Sequence, residues 1–335
     1  MLKKLNISGR NSAGGDSGNS GTSKAIKWIS ALVVIYVLVV LAVGFWWDHE
    51  PDLFDVKDVT ANMAQRQNDD IVVGYTTTAA LVQVAETLLE KRGGYITNDV
   101  LPPGSLMDNV PNWEYGVLVQ VRDMARSMRQ NFSRAQTQSL EDRDLTIAEP
   151  QFNFDSASWA LPATETEYRS AINALRSYMS RLSAPGADAR FYARADNLRT
   201  WLSDVESRLG SLSRRLSESA GKVTTDSDGN VTEVQNAWDE IDDIFYEARG
   251  TTWALVHLLR AVEIDFRDIL EKKNALVSMN QIVTELEQTQ ATLWSPIILN
   301  GSGFGLFANH SLSMASYISR TNASIIELRN LLSQG

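Results

Sequence analysis

The sequence predicts an all-α protein: a single N-terminal transmembrane helix, then an elongated helical-bundle periplasmic domain of helical hairpins, with one small β-hairpin. Three observations carry this. A charge-free apolar run of membrane length stands near the N-terminus. Apolar residues elsewhere recur at helical steps of three and four. Strand-like alternation is confined to a short stretch near residue 222.

The membrane element comes first. Trp28 to Trp47 reads WISALVVIYVLVVLAVGFWW without a charge. Twenty helical residues span about 30 Å, the thickness of a bilayer's hydrocarbon core. Trp28 at one end and Trp46 and Trp47 at the other suit the headgroup zone, where amphipathic rings collect. A core helix is rarely apolar on every face over this length. A signal peptide has a shorter apolar region and a small-residue cleavage site, and Phe45-Trp46-Trp47-Asp48 is no such site. The predicted span is 26–47, with the lipid bilayer as the partner of residues 28–47.

Flanking charge sets the expected orientation. Lys3, Lys4, Arg10, Lys24 and Lys27 against Asp16 give the N-terminal tail +4, whereas the other flank opens with Asp48, Glu50, Asp52 and Asp55. The positive-inside bias puts residues 1–25, a Gly/Ser-rich disordered tail, in the cytoplasm and the rest outside it. The chain carries 31 Lys and Arg against 41 Asp and Glu, −10 in all, which leaves −14 for the outer part. Such a surface argues against nucleic acid as a partner, since phosphate binding needs basic charge. With no cysteine, disulfides, Cys-ligated zinc, iron–sulfur clusters and thiol nucleophiles are excluded.

The outer part divides into a subdomain at 48–220, a joint at 221–233 and a C-terminal subdomain at 234–335. An extended acidic stretch covers Pro51 to Gln67. A helix over about 76–91 carries Leu81, Val84, Ala85, Leu88 and Leu89 and ends at Gly93-Gly94. The two prolines of Leu101-Pro102-Pro103-Gly104 enforce a loop. A second helix over about 111–133 has the stripe Val117, Val121, Met124, Met128 and Phe132.

Thr164 with Glu167 reads as a capping box opening the next helix, along which Tyr168, Ile172, Leu175, Met179 and Leu182 recur. After Ser183 to Ala187, Phe191, Ala195, Leu198, Leu202, Val205, Leu209, Leu212 and Leu216 alternate steps of four and three, a coiled-coil seam. The pair is expected to form an antiparallel hairpin over 164–220, its surplus length being a possible dimer seam. The run KVTTDSDGNVTE (222–233) suggests the β-hairpin. Its twelfth position from Asp226 is Ala237, so it is no calcium loop. A helix ending at Gly250, a long one from Trp253 toward Leu293 and a last one through Met314, Ile318, Ile325, Leu328 and Leu332 complete the chain. Trp113-Glu114-Tyr115-Gly116 and Trp253-Ala254-Leu255 open helices in a weakly similar way.

Chemistry-bearing patterns are sparse. The chain has no His-Glu-x-x-His, Glu-x-x-His, Gly-x-Ser-x-Gly or P-loop. Ser219-x-x-Lys222 stands without companion motifs. No catalytic residue, metal site or cofactor is predicted. Of the three histidines, His257 on an apolar helix reads as structural, His49 as an interface residue and His310 as a cap. Arg122, Arg126 and Arg129 share one helical face. That face is either a site for an anionic envelope ligand or partner, or internally paired with Glu141, Asp142 or Asp144. Phe304, Leu306 and Phe307, among glycines, form an apolar loop that could touch a membrane or partner, or tuck into the bundle.

Four strings carry a resemblance: AETLLEKRGGY (85–95), PNWEYGVLVQVRD (111–123), AEPQF (148–152) and FYARADNL (191–198). On these the chain resembles a proteobacterial family of single-pass inner-membrane proteins known only as a domain of unknown function. The resemblance implies a Gram-negative inner membrane and periplasm, and transfers no functional residue. The expected function is a non-enzymatic periplasmic interaction or scaffold protein, its partner an envelope protein or a second copy of itself. The alternatives are an enzyme of cell wall or lipid using Glu263, Asp265 or Asp268, and an anion-binding module.

Overall fold

A computed structural model describes residues 20–135, 140–218, 222–225, 231–234, 238–291 and 310–334. Most of the tail over residues 1–25, and all of Phe304, Leu306 and Phe307, lie outside these. The chain divides into two units, residues 1–46 and 47–335.

Helix α1 (Ser20–Trp47) lies in the first unit except for its last residue, Trp47, which belongs to the second. Its segment Ile26–Trp47 is long and apolar enough to cross a membrane, and none of its most apolar stretch is buried by protein. A core helix with this composition would be covered by neighbours. Here Trp28, Leu32, Leu38 and Phe45 are exposed.

Among the described residues of the second unit the regular structure is helical apart from one strand pair. Residues expected to be extended instead form α2 (Val56–Gln67), because Asp55 caps it: its carboxylate accepts from Lys57 N and Asp58 N. Next come α3 (Tyr75–Glu90) and α4 (Asn109–Ser127), the latter ending in a π-turn over Met128–Phe132. Then follow α5 (Leu145–Phe152), α6 (Thr164–Ser183) and α7 (Ala195–Glu218). Thr164 is the first residue of α6 rather than its cap. Its hydroxyl donates instead to the Asp155 and Ser158 carbonyls. Strands β1 (Lys222–Thr225) and β2 (Val231–Val234) pair antiparallel, Lys222 opposite Val234. The last helices are α8 (Trp238–Asp265), α9 (Arg267–Lys272), α10 (Leu276–Gln288) and α11 (His310–Ser333).

The expected hairpin of α6 with α7 does not form. Helix α6 packs on α3 and α5, and the leucine seam of α7 is covered chiefly by α11. The cause is the connection, which is longer than a tight turn: α7 starts only at Ala195. Tyr192 N donates to Phe132 O and so ties the connector to the end of α4, while Tyr178 Oη of α6 donates to Arg190 O at its start. Phe191, read as the first seam position, lies in that connector and packs among Phe132 and Phe266.

The division at 221–233 does not separate two cores. Apolar residues from Met63 to Leu332 form one cluster, with α4 against α8 as its most extensive contact. Gly250 does not end a helix. It lies inside α8 where α4 crosses: a Cβ on Gly250 would stand 2.0 Å from Trp113 O, and one on Gly116 2.1 Å from Glu247 O. Each glycine thus rests on the carbonyl three residues before the other. The long helix toward Leu293 is divided as well. Asn274 takes a left-handed conformation (φ 52°) and Ala275 N donates to Leu270 O, the closing pattern of a helix end, before α10 begins.

Candidate functional site

The most elaborate polar structure lies where the chain leaves α1. Residues 49–55 run extended along α8, and three side chains of α8 hold them. Arg249 grips the Glu50 carboxylate through Nε (2.8 Å to each oxygen) and Nη2 (2.5 Å), and donates Nη1 to the carbonyls of Thr289 and Ala291. Trp253 Nε1 donates to Asp52 O at 3.4 Å. His257 Nε2 accepts from Phe54 N at 3.0 Å.

The register has a simple origin. Two extended residues advance about 6.6 Å, and four helical residues advance about 6 Å. Positions 50, 52 and 54 therefore stay in step with 249, 253 and 257.

His257 is fully buried, and the phenyl ring of Phe54 stacks on it at 3.7 Å. Its Nδ1 lies 2.8 Å from Trp253 O, which can only accept, so Nδ1 carries the proton and Nε2 is the acceptor. Burial pushes its pKa down to about 3, with the nearby Arg260 adding to the effect. This histidine is a neutral strut, not a base poised near neutrality. His49 lines the small pocket beside Asp48, Glu50 and Trp113, and His310 opens α11 with its ring edge toward Phe245.

Next to the strap a second carboxylate is fully enclosed. Glu114 of α4 accepts from Ile96 N, Thr97 N and Thr97 Oγ1, and pairs with the buried Lys91 at 2.5 Å. It pins the turn after α3. There Gly93, at φ 83°, lets the ring of Trp47 approach to where a Cβ would meet it at 2.7 Å.

The acids considered for catalysis separate. Asp265 sits at the start of α3, which has no cap of its own, and accepts from Thr77 N and Thr77 Oγ1, both at 2.7 Å. Desolvation raises its pKa to about 6, opposed by those hydrogen bonds. It caps a helix across the core. Glu263 lines an open groove of about 340 Å³ with Asp55, Lys57, Arg260, Arg267 and Asn280. Asp268 lies past the end of α8, on α9.

All three arginines of the α4 stripe are engaged by the protein itself. Arg122 donates to the carbonyls of Phe152 and Phe154 and to Tyr168 Oη. Arg126 pairs with Asp123 and Asp204, and Arg129 with Glu141 and Glu149. Asp142 and Asp144 go to Arg181 instead. An anion arriving at this face would have to displace these acceptors. Among the described residues no group of three His, Asp or Glu is arranged to hold a metal ion.

A family model for uncharacterized proteins conserved in bacteria, DUF2333, matches residues 21–335. The chain belongs to that family. The match takes in the membrane-length helix, the strap and every helix of the second unit. No curated protein and no solved structure matches the chain.

The strap itself went unread in the sequence, because its partners are some 200 residues apart. The one signal was an acidic, non-periodic segment next to the membrane, which must find a cation if it is to be buried.

Proposed function

We propose that this protein is a non-enzymatic scaffold of the Gram-negative cell envelope. Residues 26–47 cross the inner membrane with the N-terminus in the cytoplasm, and the helical domain stands in the periplasm. There it binds an envelope protein or a second copy of itself. The observation that carries this reading is the strap. The chain leaving the membrane-length helix is fixed to the central helix α8 by Arg249, Trp253 and His257 instead of running as a free tether. A bolted exit suits a domain whose place relative to its anchor matters, as in holding a partner at the membrane. Tail charge and the Trp residues at both ends of the apolar run support the orientation.

The test has two parts. A periplasm-dependent reporter fused after Gly335 is expected to be active, and activity of a cytosol-dependent reporter at the same place would remove the location. Crosslinking in intact cells and capture through the full chain is expected to return the same partner, or the chain itself, repeatedly. It should do so in excess over an unrelated single-pass protein. Failure to do so would remove the scaffold reading.

A further inference from the structure

Two loops of the helical domain expose large apolar side chains, and the stems of the first meet residues 47–51. The first joins α3 to α4 and presents Val100, Leu101 and Leu106, which are 58%, 72% and 73% exposed. The second joins α5 to α6 and presents Trp159 and Leu161, 66% and 98% exposed.

The two loops are tied together. Tyr95 Oη donates to Ser156 O and Asn98 Nδ2 to Ser158 O. Both are built rather than slack. Asp99 lies over Gly104, where a Cβ would meet its carboxylate at 2.1 Å, and Leu106 N and Met107 N close short turns onto Pro103 O and Gly104 O. In the second loop Ser158 Oγ donates to Pro162 O, and Thr164 Oγ1 to Asp155 O and Ser158 O. Part of the backbone is thus satisfied internally, and the largest side chains the loops expose are apolar, beside the exposed Ser105, Asp108 and Asp155.

Their position says what covers them. One stem of the first loop, at Gly93, packs against Trp47. The other, at Asn109 and Val110, lines a pocket with Asp48, His49, Glu50 and Pro51. The two stems therefore touch Trp47 and the residues directly after it. A monomeric surface seldom leaves such side chains together in water, and Trp with Leu is the composition that settles at a membrane–water interface. Asp48, Glu50 and Asp108 lie around this exit, and Asp99 of the first loop lies among Glu114, Glu165 and Lys91. That charge disfavours an anionic lipid surface and leaves apolar insertion as the attraction.

We propose that the loops 97–108 and 155–163 form a membrane-docking face. Leu101, Leu106, Trp159 and Leu161 enter the headgroup zone of the leaflet that α1 leaves, among zwitterionic phospholipids. The inference rests on the reading of α1 as a membrane span, and its test separates the two.

Because the chain has no cysteine, single cysteines report unambiguously. Full-length Leu101→Cys, Leu161→Cys, Val277→Cys and Leu38→Cys, each carrying a polarity-sensitive fluorophore, are reconstituted in phosphatidylcholine vesicles. A fraction of the lipids carries a nitroxide quencher, at the acyl–headgroup boundary in one preparation and at the acyl-chain end, for the mid-span position 38, in another. Val277 is 79% exposed, at the far end of α10 from Thr289, which sits beside the strap; Leu38 lies within α1. Labels at 38, 101 and 161 are expected to be quenched and blue-shifted, with the label at 277 unchanged. Quenching at 38 without quenching at 101 and 161 overturns the docking face and leaves the anchor standing. Labels at 101 and 161 that are shielded from an aqueous quencher yet untouched by the lipid quencher overturn it too, since protein would then cover the patch. Loss of quenching at 38 overturns the anchor and the docking face with it.

Discussion

Helix α8 carries Arg249, Trp253 and His257 at four-residue steps, and helix α4 with the π-turn that ends it carries Arg122, Arg126 and Arg129 at steps of four and three. In a helical projection the two stripes look alike. Their surroundings differ. The α8 stripe faces inward: the side chain of Arg249 is 6% exposed, and it binds a segment nearly 200 residues earlier in the chain. On α4, Arg126 is 38% exposed, and the partners of Arg129 lie within twenty residues. Spacing establishes that side chains share a face. What the face meets is decided by the fold, and so is the energy, because an ion pair without water interacts far more strongly than one in it.

Both stripes depend on the crossing of α4 over α8, so breaking that crossing has the largest expected effect. A side chain at Gly250 must displace the backbone carbonyl of Trp113. We predict that Gly250→Val destabilises by about 4 kcal/mol or more, beyond the usual cost of overpacking, because the obstacle is backbone. Chemical denaturation followed by circular dichroism measures it. A loss under about 1 kcal/mol would mean that the helices can separate there without penalty.

The second comparison sets the buried ion pair against the exposed ones. Arg249→Met leaves Glu50 beside α8 with no cation and strips the Thr289 and Ala291 carbonyls of a donor. The expected loss is about 3–5 kcal/mol. Glu50→Gln in the same background should recover part of it, since the uncompensated charge is then gone. If the double variant is no more stable than Arg249→Met, the cost lies in the carbonyls rather than in the ion pair.

His257 sharpens the comparison through pH. Its folded pKa of about 3 lies below the ordinary 6.5, so the native state binds fewer protons than the unfolded one between those values. Its contribution is complete above about pH 6.5 and is lost as pH falls toward 3. His257→Gln removes this dependence. The variant should be less stable than the parent at pH 7 and should close the gap on acidification, by about 2–3 kcal/mol between pH 7 and 4.5. Asp265 has the opposite sign. Its folded pKa of about 6 lies above the ordinary carboxylate value, so its contribution is greatest below pH 4 and declines as pH rises to 6. Stability measured against pH for parent and variant separates the two. A gap that does not change with pH would show that His257 titrates normally in the folded chain.

Helices α6 and α11, which bury one apolar stripe, were legible because burial on one side imposes the 3.6-residue period, whereas α3 and α4 are covered on most sides and only part of their buried surface follows that stripe. Three features were not legible. Gly250 reads as a helix stop because glycine weakens helices, yet here its missing Cβ is what lets α4 approach. Asn274, after two lysines, is a left-handed helix terminator that the apolar pattern on either side concealed. The seam of α7 was read correctly as a seam and given the wrong partner. Adjacency in sequence favours α6, whereas the tethered connector at Tyr192 makes α11 the neighbour. The polar sites were the least legible part. Arg129 with Glu141 was within reach of sequence reasoning, but Glu50 with Arg249 and Thr77 with Asp265 exist only once the chain has folded.

The smallest effect is expected on the α4 stripe, and its cause is redundancy as much as exposure. Asp123 is 3% exposed, yet it has two cations: Arg126 at 2.8 Å and Arg208 at 2.9 Å. Losing either leaves the carboxylate paired, so Arg126→Met and Arg208→Met should each cost less than about 1 kcal/mol. Together they strand a buried charge. The double variant should therefore exceed the sum of the singles by on the order of 1–2 kcal/mol. A double-mutant cycle in urea measures this coupling. Strict additivity would mean that water reaches Asp123, in which case the α4 stripe is a solvated surface along its whole length and the contrast with α8 is wider than the burial of Asp123 implies.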